Sequence, residues 1–147
     1  MRTHDNVLDT IRIHGSESYP EEGCGFLLGR LEESGNYVAA AVPVKNRRKK
    51  NRERRFTISA ADFHQADRAA RNQGWDIVGF YHSHPNHPAR PSATDLAEAT
   101  FPGYTYIIVS VHNRSPTKIT AWSLWPDRSR FESEPIEIIS EINAAPK

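Results

Sequence analysis

The chain has 147 residues, of which 37% are hydrophobic and 25% are charged, and its formal net charge is +1. This length fits one folded core, so we expect a single domain over residues 1–147. We expect no membrane-spanning helix, since no apolar run approaches the roughly 20 residues that such a helix needs. The N-terminus is polar, without the apolar stretch of a signal peptide, and Cys24 is the only cysteine. Because no intrachain disulfide can form, we expect a cytoplasmic protein.

A short helix and a β-hairpin are predicted for the first third of the chain. Residues 24–31 form an apolar run with two glycines and predict a buried strand, and the turn signal at residues 34–36 makes residues 37–44 its partner strand. Before the hairpin, apolar residues at helical spacing indicate a short amphipathic helix that the Ser-Tyr-Pro segment at residues 18–20 ends. These apolar positions are Val7, Leu8, Ile11 and Ile13.

The next segment combines a strongly basic loop with a second helix. Seven Lys and Arg residues lie within nine positions of the loop over residues 45–55. Ser59 is the predicted N-cap of a helix over about residues 60–72, and Gly74 follows its end. Three residues would form its apolar face: Phe63, Ala66 and Ala70.

The rest of the chain is predicted to be mostly strand. Residues 77–81 form a short strand that runs into His82, residues 85–91 form a stiff loop with three prolines, and residues 92–95 open another short helix. Three more strands complete the sheet, over residues 104–111, 118–124 and 131–139, and Pro135 marks the last one as an edge strand. These elements predict an α+β fold, an α/β sandwich in which two or three helices flank a mixed, mostly antiparallel sheet.

One segment carries the residue types of a metal site. It reads His82-Ser83-His84-Pro85, then six residues, then Ser92-Ala93-Thr94-Asp95. Two histidines at positions i and i+2 of a strand point to the same side, and neutral imidazole is a good zinc ligand. The Asp95 carboxylate returns to them if the proline-rich loop folds back. Three protein ligands leave the fourth tetrahedral position to water, which is typical of a catalytic zinc site rather than a structural one.

The same residues allow other interpretations. Pairs of histidines at this spacing also arise by chance in a chain with seven histidines. His87 lies in the loop and is a less favoured alternative to Asp95 as third ligand. Cys24 lies in an apolar strand, so we expect it to be buried and not a nucleophile. The other histidines are expected to be surface or packing residues: His4, His14, His64 and His112.

The pattern H-x-H-P-x6-S-x2-D over residues 82–95 resembles the motif of JAMM (MPN+) zinc metallopeptidases at every specified position. That motif also needs an upstream glutamate, and the segment PEEGCGFLLG over residues 20–29 is similar to the one that carries it, with Glu22 at the matching position. The similarity continues through residues 103–109 and at Ala121-Trp122, so it covers most of the chain. The resemblance implies a JAMM domain with a cytidine-deaminase-like architecture.

The resemblance also implies a role for each residue of the pattern. Glu22 would accept a proton from the attacking water and pass it to the leaving amine. Ser92 would donate a hydrogen bond to the oxyanion of the tetrahedral intermediate. Its Ser-x-x-Asp context also resembles a helix capping box, and the two roles can coexist. Ser83 alternates with the histidines and is expected to point away from the metal. Three residues would hold the zinc ion: His82, His84 and Asp95.

Small bacterial-type members of this family are similar in length to this chain. They are linked to removing residues from the C-terminal Gly-Gly tail of ubiquitin-like sulfur carrier proteins. The resemblance therefore implies a zinc-dependent peptidase or isopeptidase with a protein or peptide substrate. We expect it to cut such a carrier directly after the second glycine and to release a short peptide or an amino acid.

Other classes of function remain as alternatives. A metal-stabilised MPN interaction module would hold zinc and bind a partner without cleaving it, but it has no use for a base at Glu22. A zinc nucleobase deaminase is disfavoured because its Pro-Cys-x-x-Cys ligand pair needs two cysteines. The basic loop is either a solvated connection or a surface that attracts an acidic protein substrate. Nucleic acid is a weaker candidate, since no aromatic residues lie between the charges.

Overall fold

The computed structural model describes residues 1–140, which form three helices and one eight-stranded sheet. The helices are α1 (Asp5–Ser18), α2 (Ala60–Asn72) and α3 (Ala93–Glu98). The strands are β1 (Arg2–Thr3), β2 (Cys24–Arg30), β3 (Tyr37–Val44), β4 (Asp76–Pro85), β5 (Thr105–His112), β6 (Ser115–Leu124), β7 (Phe131–Glu134) and β8 (Glu137–Ile138). Their order in the sheet is β7-β6-β5-β4-β2-β3-β1-β8, with four antiparallel and three parallel pairs. The predicted α+β class and the mixed, mostly antiparallel sheet are confirmed.

The helix α1 packs on one face of the sheet. Val7, Leu8 and Ile11 are buried as predicted, and Val7 and Ile11 share a core with Leu27 of β2. The expectation for Ile13 was wrong, because this side chain is 57% exposed. Two positions along a helix rotate the side chain by about 200°, so Ile13 faces away from the side that Ile11 buries.

The helix α2 covers the opposite face. Successive residues of a strand point to opposite sides, and Leu27 lies in the α1 core while Phe26 and Leu28 lie in a second cluster with α2. The predicted cap of α2 is present, because the Ser59 hydroxyl oxygen accepts a hydrogen bond from a backbone N–H in the first turn. Gly74 follows the helix with a φ of +81°, a left-handed conformation that favours glycine. Three α2 residues pack on this face, as predicted: Phe63, Ala66 and Ala70.

The segment 131–139, predicted as one edge strand, is two strands. Pro135 and Ile136 separate β7 from β8, and these two strands lie at opposite ends of the strand order. A two-residue link spans only about 10 Å, so the sheet curls until its ends come close. The N-terminal amino group of Met1 donates to the Pro135 carbonyl at 3.0 Å, and the N–H of Glu137 donates to the Met1 carbonyl at 2.9 Å. The prediction failed because the break at Pro135 sends the chain to the other edge.

The strand β4 is longer than predicted and includes both histidines of the motif. It lies between β2, which is antiparallel to it, and β5, which is parallel. Cys24 at the start of β2 is opposite His82. The residues just before Cys24 therefore lie beside the end of β4, where His84 is found.

None of the three helices in residues 1–140 has both the length and the apolar character that a membrane crossing needs.

Candidate metal centre

The two histidines of the motif lie on one side of β4 near its C-terminal end, and both are buried, with exposed fractions of 5% for His82 and 1% for His84. Ser83 points to the other side, toward α1, as expected from the alternation of a strand. Its Oγ accepts a hydrogen bond from the Gly23 N–H at 2.8 Å. This bond ties the segment before β2 to the strand that carries the histidines.

Three potential ligand atoms converge at this point. The Nε2 atoms of His82 and His84 are 3.0 Å apart, and Oδ2 of Asp95 lies 3.3 Å and 3.1 Å from them, respectively. Tetrahedral zinc with ligand distances of about 2.0–2.1 Å holds its ligand atoms about 3.3 Å from one another. The triangle of donors therefore has the size and the chemistry of a zinc site, with one side open.

Contacts behind the histidines fix their orientation. Nδ1 of His84 lies 2.7 Å from the Pro88 carbonyl oxygen. A carbonyl only accepts, so Nδ1 of the neutral ring carries the proton and Nε2 keeps its lone pair toward the triangle. A contact of this kind sets the tautomer of metal-binding histidines. Phe56 stacks on His82 with 4.7 Å between ring centroids and holds the plane of that ring.

Asp95 is positioned by the first turn of α3. Ser92 is the N-cap: its hydroxyl oxygen accepts from the Asp95 N–H at 3.0 Å, and its own N–H donates to Oδ2 of Asp95 at 2.9 Å. Burial alone would raise the pKa of the Asp95 carboxyl, but its contacts with the imidazoles of His82 and His84 and the hydrogen bond from the Ser92 N–H hold this pKa well below its usual range. The capping role of Ser92 leaves its hydroxyl hydrogen free to donate elsewhere.

Glu22 presents a buried carboxyl group beside the triangle. Its exposed fraction is 3%, and Oε1 has no hydrogen-bond partner among the described residues. The pKa of Glu22 is raised to about 8, mainly by burial; His84 opposes the shift, and nearby Asp95 and Glu98 contribute to it. A buried, unpaired carboxyl group destabilises a fold, so its presence points to a functional use.

The basic loop fixes the backbone around Glu22, a role that the sequence did not indicate. The Glu22 N–H donates to the Arg52 carbonyl at 2.7 Å, and its carbonyl accepts from Nδ2 of Asn46 at 3.1 Å. Asn46 makes three further hydrogen bonds within the loop, to the backbone of Arg48, Arg55 and Thr57. No local pattern signals these long-range bonds. The loop is therefore part of the wall of the site, although most of its charged side chains are exposed.

His87 lies near the site but outside the tight triangle. Its ring stacks on His84 with 4.1 Å between centroids, and its Nδ1 lies 2.9 Å from the Pro85 carbonyl oxygen. Glu22, His84 and His87 form a looser group, whose potential ligand atoms lie within 4.8 Å of one another. Since Nε2 of His84 can serve only one ion, the closer set with Asp95 is the better metal site.

The remaining histidines and the cysteine are where packing arguments predict. His64 and His112 are exposed, while His4 and His14 are partly buried and hydrogen-bonded to tyrosine hydroxyls. Cys24 is fully buried, and burial raises the pKa of its thiol to about 12. A thiol with that pKa stays protonated near neutral pH and is a poor nucleophile.

An apolar cavity opens directly beside the triangle. Its volume is about 460 Å³, and His82 and Asp95 form part of its wall. Six aromatic side chains line it: Phe56, Phe63, Phe80, Phe101, Tyr106 and Phe131. We call it the aromatic cavity. Its size is in the range of ligand sites in proteins.

Residues 4–125 match the family model described as prokaryotic homologues of the JAB domain. Among relatives of this chain, a desampylase from Haloferax volcanii is 36% identical over 110 residues, which are 75% of this chain and 77% of that protein. A CysO-cysteine peptidase from Mycobacterium tuberculosis is 23% identical over 136 residues, which are 92% of this chain and 89% of that protein.

Solved structures share the fold. The solution structure of a protein from Salinibacter ruber is 57% identical, with a TM-score of 0.76 over 95% of this chain and 92% of that one. A JAB1/MPN domain protein from Archaeoglobus fulgidus has a TM-score of 0.62 at 20% identity, over 95% of this chain and 100% of that one. The second likeness concerns the fold alone.

Proposed function

This chain belongs to the family of prokaryotic homologues of the JAB domain, and from that premise we propose that it is a zinc-dependent peptidase. We propose as its substrate a ubiquitin-like carrier protein that is extended past a C-terminal Gly-Gly, and as its reaction hydrolysis of the bond after the second glycine. The proposal depends on one observation. Three potential ligand atoms lie 3.0–3.3 Å apart, and the unpaired carboxyl group of Glu22 lies beside them.

In this proposal the zinc ligands are Nε2 of His82, Nε2 of His84 and Oδ2 of Asp95. A zinc ion held there would lower the pKa of a coordinated water to about 7 and would polarise the scissile carbonyl. These three proposed donors come from β4 and from the start of α3, and the distances of 3.0–3.3 Å between their ligand atoms support the assignment. The contact between Nδ1 of His84 and the Pro88 carbonyl supports this assignment, because it leaves Nε2 of His84 free to bind the metal.

Glu22 is the proposed general base and then the general acid. Its carboxylate accepts the proton of the attacking water and returns it to the nitrogen of the leaving amine. A carboxyl group whose pKa is raised by burial is poised to exchange a proton near neutral pH. The register of β2 with β4 supports the role, since it holds Glu22 beside His84.

Ser92 is the proposed oxyanion donor. Its oxygen already accepts the helix-capping bond from Asp95, and its O–H hydrogen has no acceptor within residues 1–140. It can therefore donate to the negative charge that develops on the carbonyl oxygen during attack. Losing one such donor typically lowers the rate by about 10²–10³-fold.

The aromatic cavity is the proposed site for the tail that precedes the scissile bond. Glycines have no side chains to clash, so a Gly-Gly segment can approach the ligand triangle closely. The apolar residues before it would bury their side chains among the rings. The names of the relatives support this class of substrate, because the CysO-cysteine peptidase is named for a carrier joined to an amino acid.

The buried carboxyl group also argues against a module that binds zinc and a partner without cleaving it. Such a module needs the three ligands but gains nothing from Glu22, which costs stability at neutral pH. The structure gives no separate observation in favour of that alternative.

The experiment is intact-mass spectrometry of a ubiquitin-like carrier with a short C-terminal extension after its Gly-Gly. The protein is tested as purified, after chelation, and after zinc is added back. We expect a single new mass that ends at the second glycine, loss of cleavage on chelation, and recovery with zinc. Cleavage at other positions, or cleavage that chelation does not affect, would contradict the proposal.

A further inference from the structure

A second cavity lies against the candidate metal site and carries positive charge. Its volume is about 670 Å³, and it shares no lining residue with the aromatic cavity. Arg54 and Arg55 of the basic loop form one wall, and His87 and Ser92 form another. We call it the cationic cavity. Both cavities reach the start of α3, where Ser92 lines one and Asp95 the other, so a bound chain could pass between them at this point.

Glu22 indicates which part of a substrate belongs in the cationic cavity. The group that leaves must take its proton from Glu22, so its nitrogen lies on the Glu22 side of the scissile bond. Pro20, two residues before Glu22, lines the cationic cavity, and the His87 ring lies within 4.8 Å of the Glu22 carboxyl group. Neither Pro20 nor His87 lines the aromatic cavity. Glu22 itself lines neither of these two cavities. Through Pro20 and His87, however, the cationic cavity borders the Glu22 side of the scissile bond, where the leaving amine would lie.

The arginines at this cavity differ from the two arginines of the loop that form ion pairs. Arg47 pairs with Asp62 at 2.9 Å, and Arg52 pairs with Glu21 at 3.2 Å. Among the ion pairs of residues 1–140, none involves Arg54 or Arg55. Two arginines that lie away from the cavity are thus neutralised, whereas the two at its wall have no carboxylate partner among residues 1–140. Arg48, Lys49 and Lys50 are also without an ion pair there, but they do not line the cavity.

The cavity has the character of an anion site. Glu53 is the one acidic residue in its wall, so the two arginines give it a net positive charge. Arg55 is partly buried, which strengthens its attraction for an anion. The backbone N–H groups of Arg54 and Arg55 donate to the Asn51 carbonyl at 3.0 Å and 2.9 Å. The two arginines therefore belong to an ordered turn.

We propose that the cationic cavity binds the free α-carboxylate of the leaving group, so that the enzyme releases a C-terminal amino acid or short peptide from its carrier. This inference rests on the proposed peptidase function and adds its leaving-group specificity. Guanidinium groups match a carboxylate with two parallel hydrogen bonds. A released amino acid carries its carboxylate two bonds from the new amine. A lysine side chain of a second protein has no free carboxylate near that point.

The test uses two carriers that differ only at the C-terminus: Gly-Gly followed by alanine with a free carboxylate, and the same extension as the carboxamide. We expect kcat/KM to be at least about tenfold higher for the acid, because a hydrogen bond to a charged group usually contributes at least this factor. Arg55→Gln and Arg54→Gln should each lower this acid-to-amide ratio toward one. Arg55→Lys should keep part of the preference.

Lys49→Gln is the matched control, because it removes the same charge from the loop at a position outside the cavity wall. If it lowers the ratio as much as Arg55→Gln does, the loop acts only by general attraction and the inference fails. Equal cleavage of acid and amide by the wild type would also overturn it.

A binding measurement separates this inference from the proposed function. Titration calorimetry of the Glu22→Gln protein with both carriers requires no turnover. If neither carrier is cleaved by the wild type, the peptidase proposal fails, and the affinity ratio still decides whether the cavity selects a carboxylate. An acid-to-amide affinity ratio near one would contradict the carboxylate site.

Discussion

Replacing Glu22 by glutamine should stabilise the metal-free protein, and the gain should depend on pH. The carboxyl group is 3% exposed, and burial raises its pKa from an ordinary value of 4.5 to about 8. At a pH between these two pKa values, the Glu22 carboxyl group has lost its proton in the unfolded chain but keeps it in the folded chain. The free energy of unfolding therefore falls as pH rises through this window, by about 1.4 kcal/mol per pH unit. Glutamine has nearly the same shape and does not titrate.

The size of the effect follows from the same window. Near pH 5 the carboxyl group costs the folded protein less than about 1 kcal/mol, and near pH 7 it costs about 3 kcal/mol. Against a total stability of about 5–15 kcal/mol this difference is large, and it corresponds to about 10 °C in Tm for a chain of this length. Both proteins share every other titrating group, so their difference isolates Glu22.

The assay is urea unfolding of chelator-treated wild type and Glu22→Gln at several pH values. Chelation is needed because a bound cation favours the ionised carboxylate and removes the penalty. Glu21→Gln is the control: Glu21 is partly exposed and paired with Arg52, so its loss should change stability by less than about 0.5 kcal/mol. A Glu22→Gln protein that is less stable than wild type, or whose gain is equal near pH 5 and pH 7, would refute the assignment of a desolvated carboxyl group.

Three further outcomes are expected. His84→Ala should lose stoichiometric zinc, measured by elemental analysis after zinc loading and desalting, whereas His87→Ala should keep it. Asn46→Ala removes one hydrogen bond that joins the basic loop to Glu22 and three that order the loop itself. We therefore expect a loss of about 2–3 kcal/mol in urea unfolding and a lower kcat; unchanged values of both would show that the loop is held by other contacts. Replacing Lys49 and Lys50 by glutamine should slow association with an acidic carrier at low salt, and this difference in stopped-flow rates should disappear at high salt.

The local spacing of residues in the sequence was enough to predict much of the structure. The alternation along β4 predicted that His82 and His84 share a side, and the Ser-x-x-Asp pattern predicted the capping box that orients Asp95. Both depend on neighbours within a few residues, which a sequence displays directly. Ile13 shows the limit of this reasoning, since an apolar residue two positions from a buried one lies on the opposite side of a helix.

Long-range contacts were not predictable from the sequence. The bonds from Asn46 and the Arg52 carbonyl to Glu22, and the stacking of Phe56 on His82, join residues that are 20 or more positions apart. No periodic pattern signals such partners. The division of the last strand at Pro135 has the same origin, because only the curl of the whole sheet brings its two edges within reach of a two-residue link.

The most direct test of the account measures zinc content and turnover on one sample of Glu22→Gln. The central claim is that Glu22 moves protons beside a zinc ion that His82, His84 and Asp95 hold. We predict one zinc per chain, as in the wild type, with kcat on an extended carrier lower by about 10²–10⁴-fold. Wild-type turnover at full zinc occupancy would contradict the claim, because the buried carboxyl group would then have no part in the reaction.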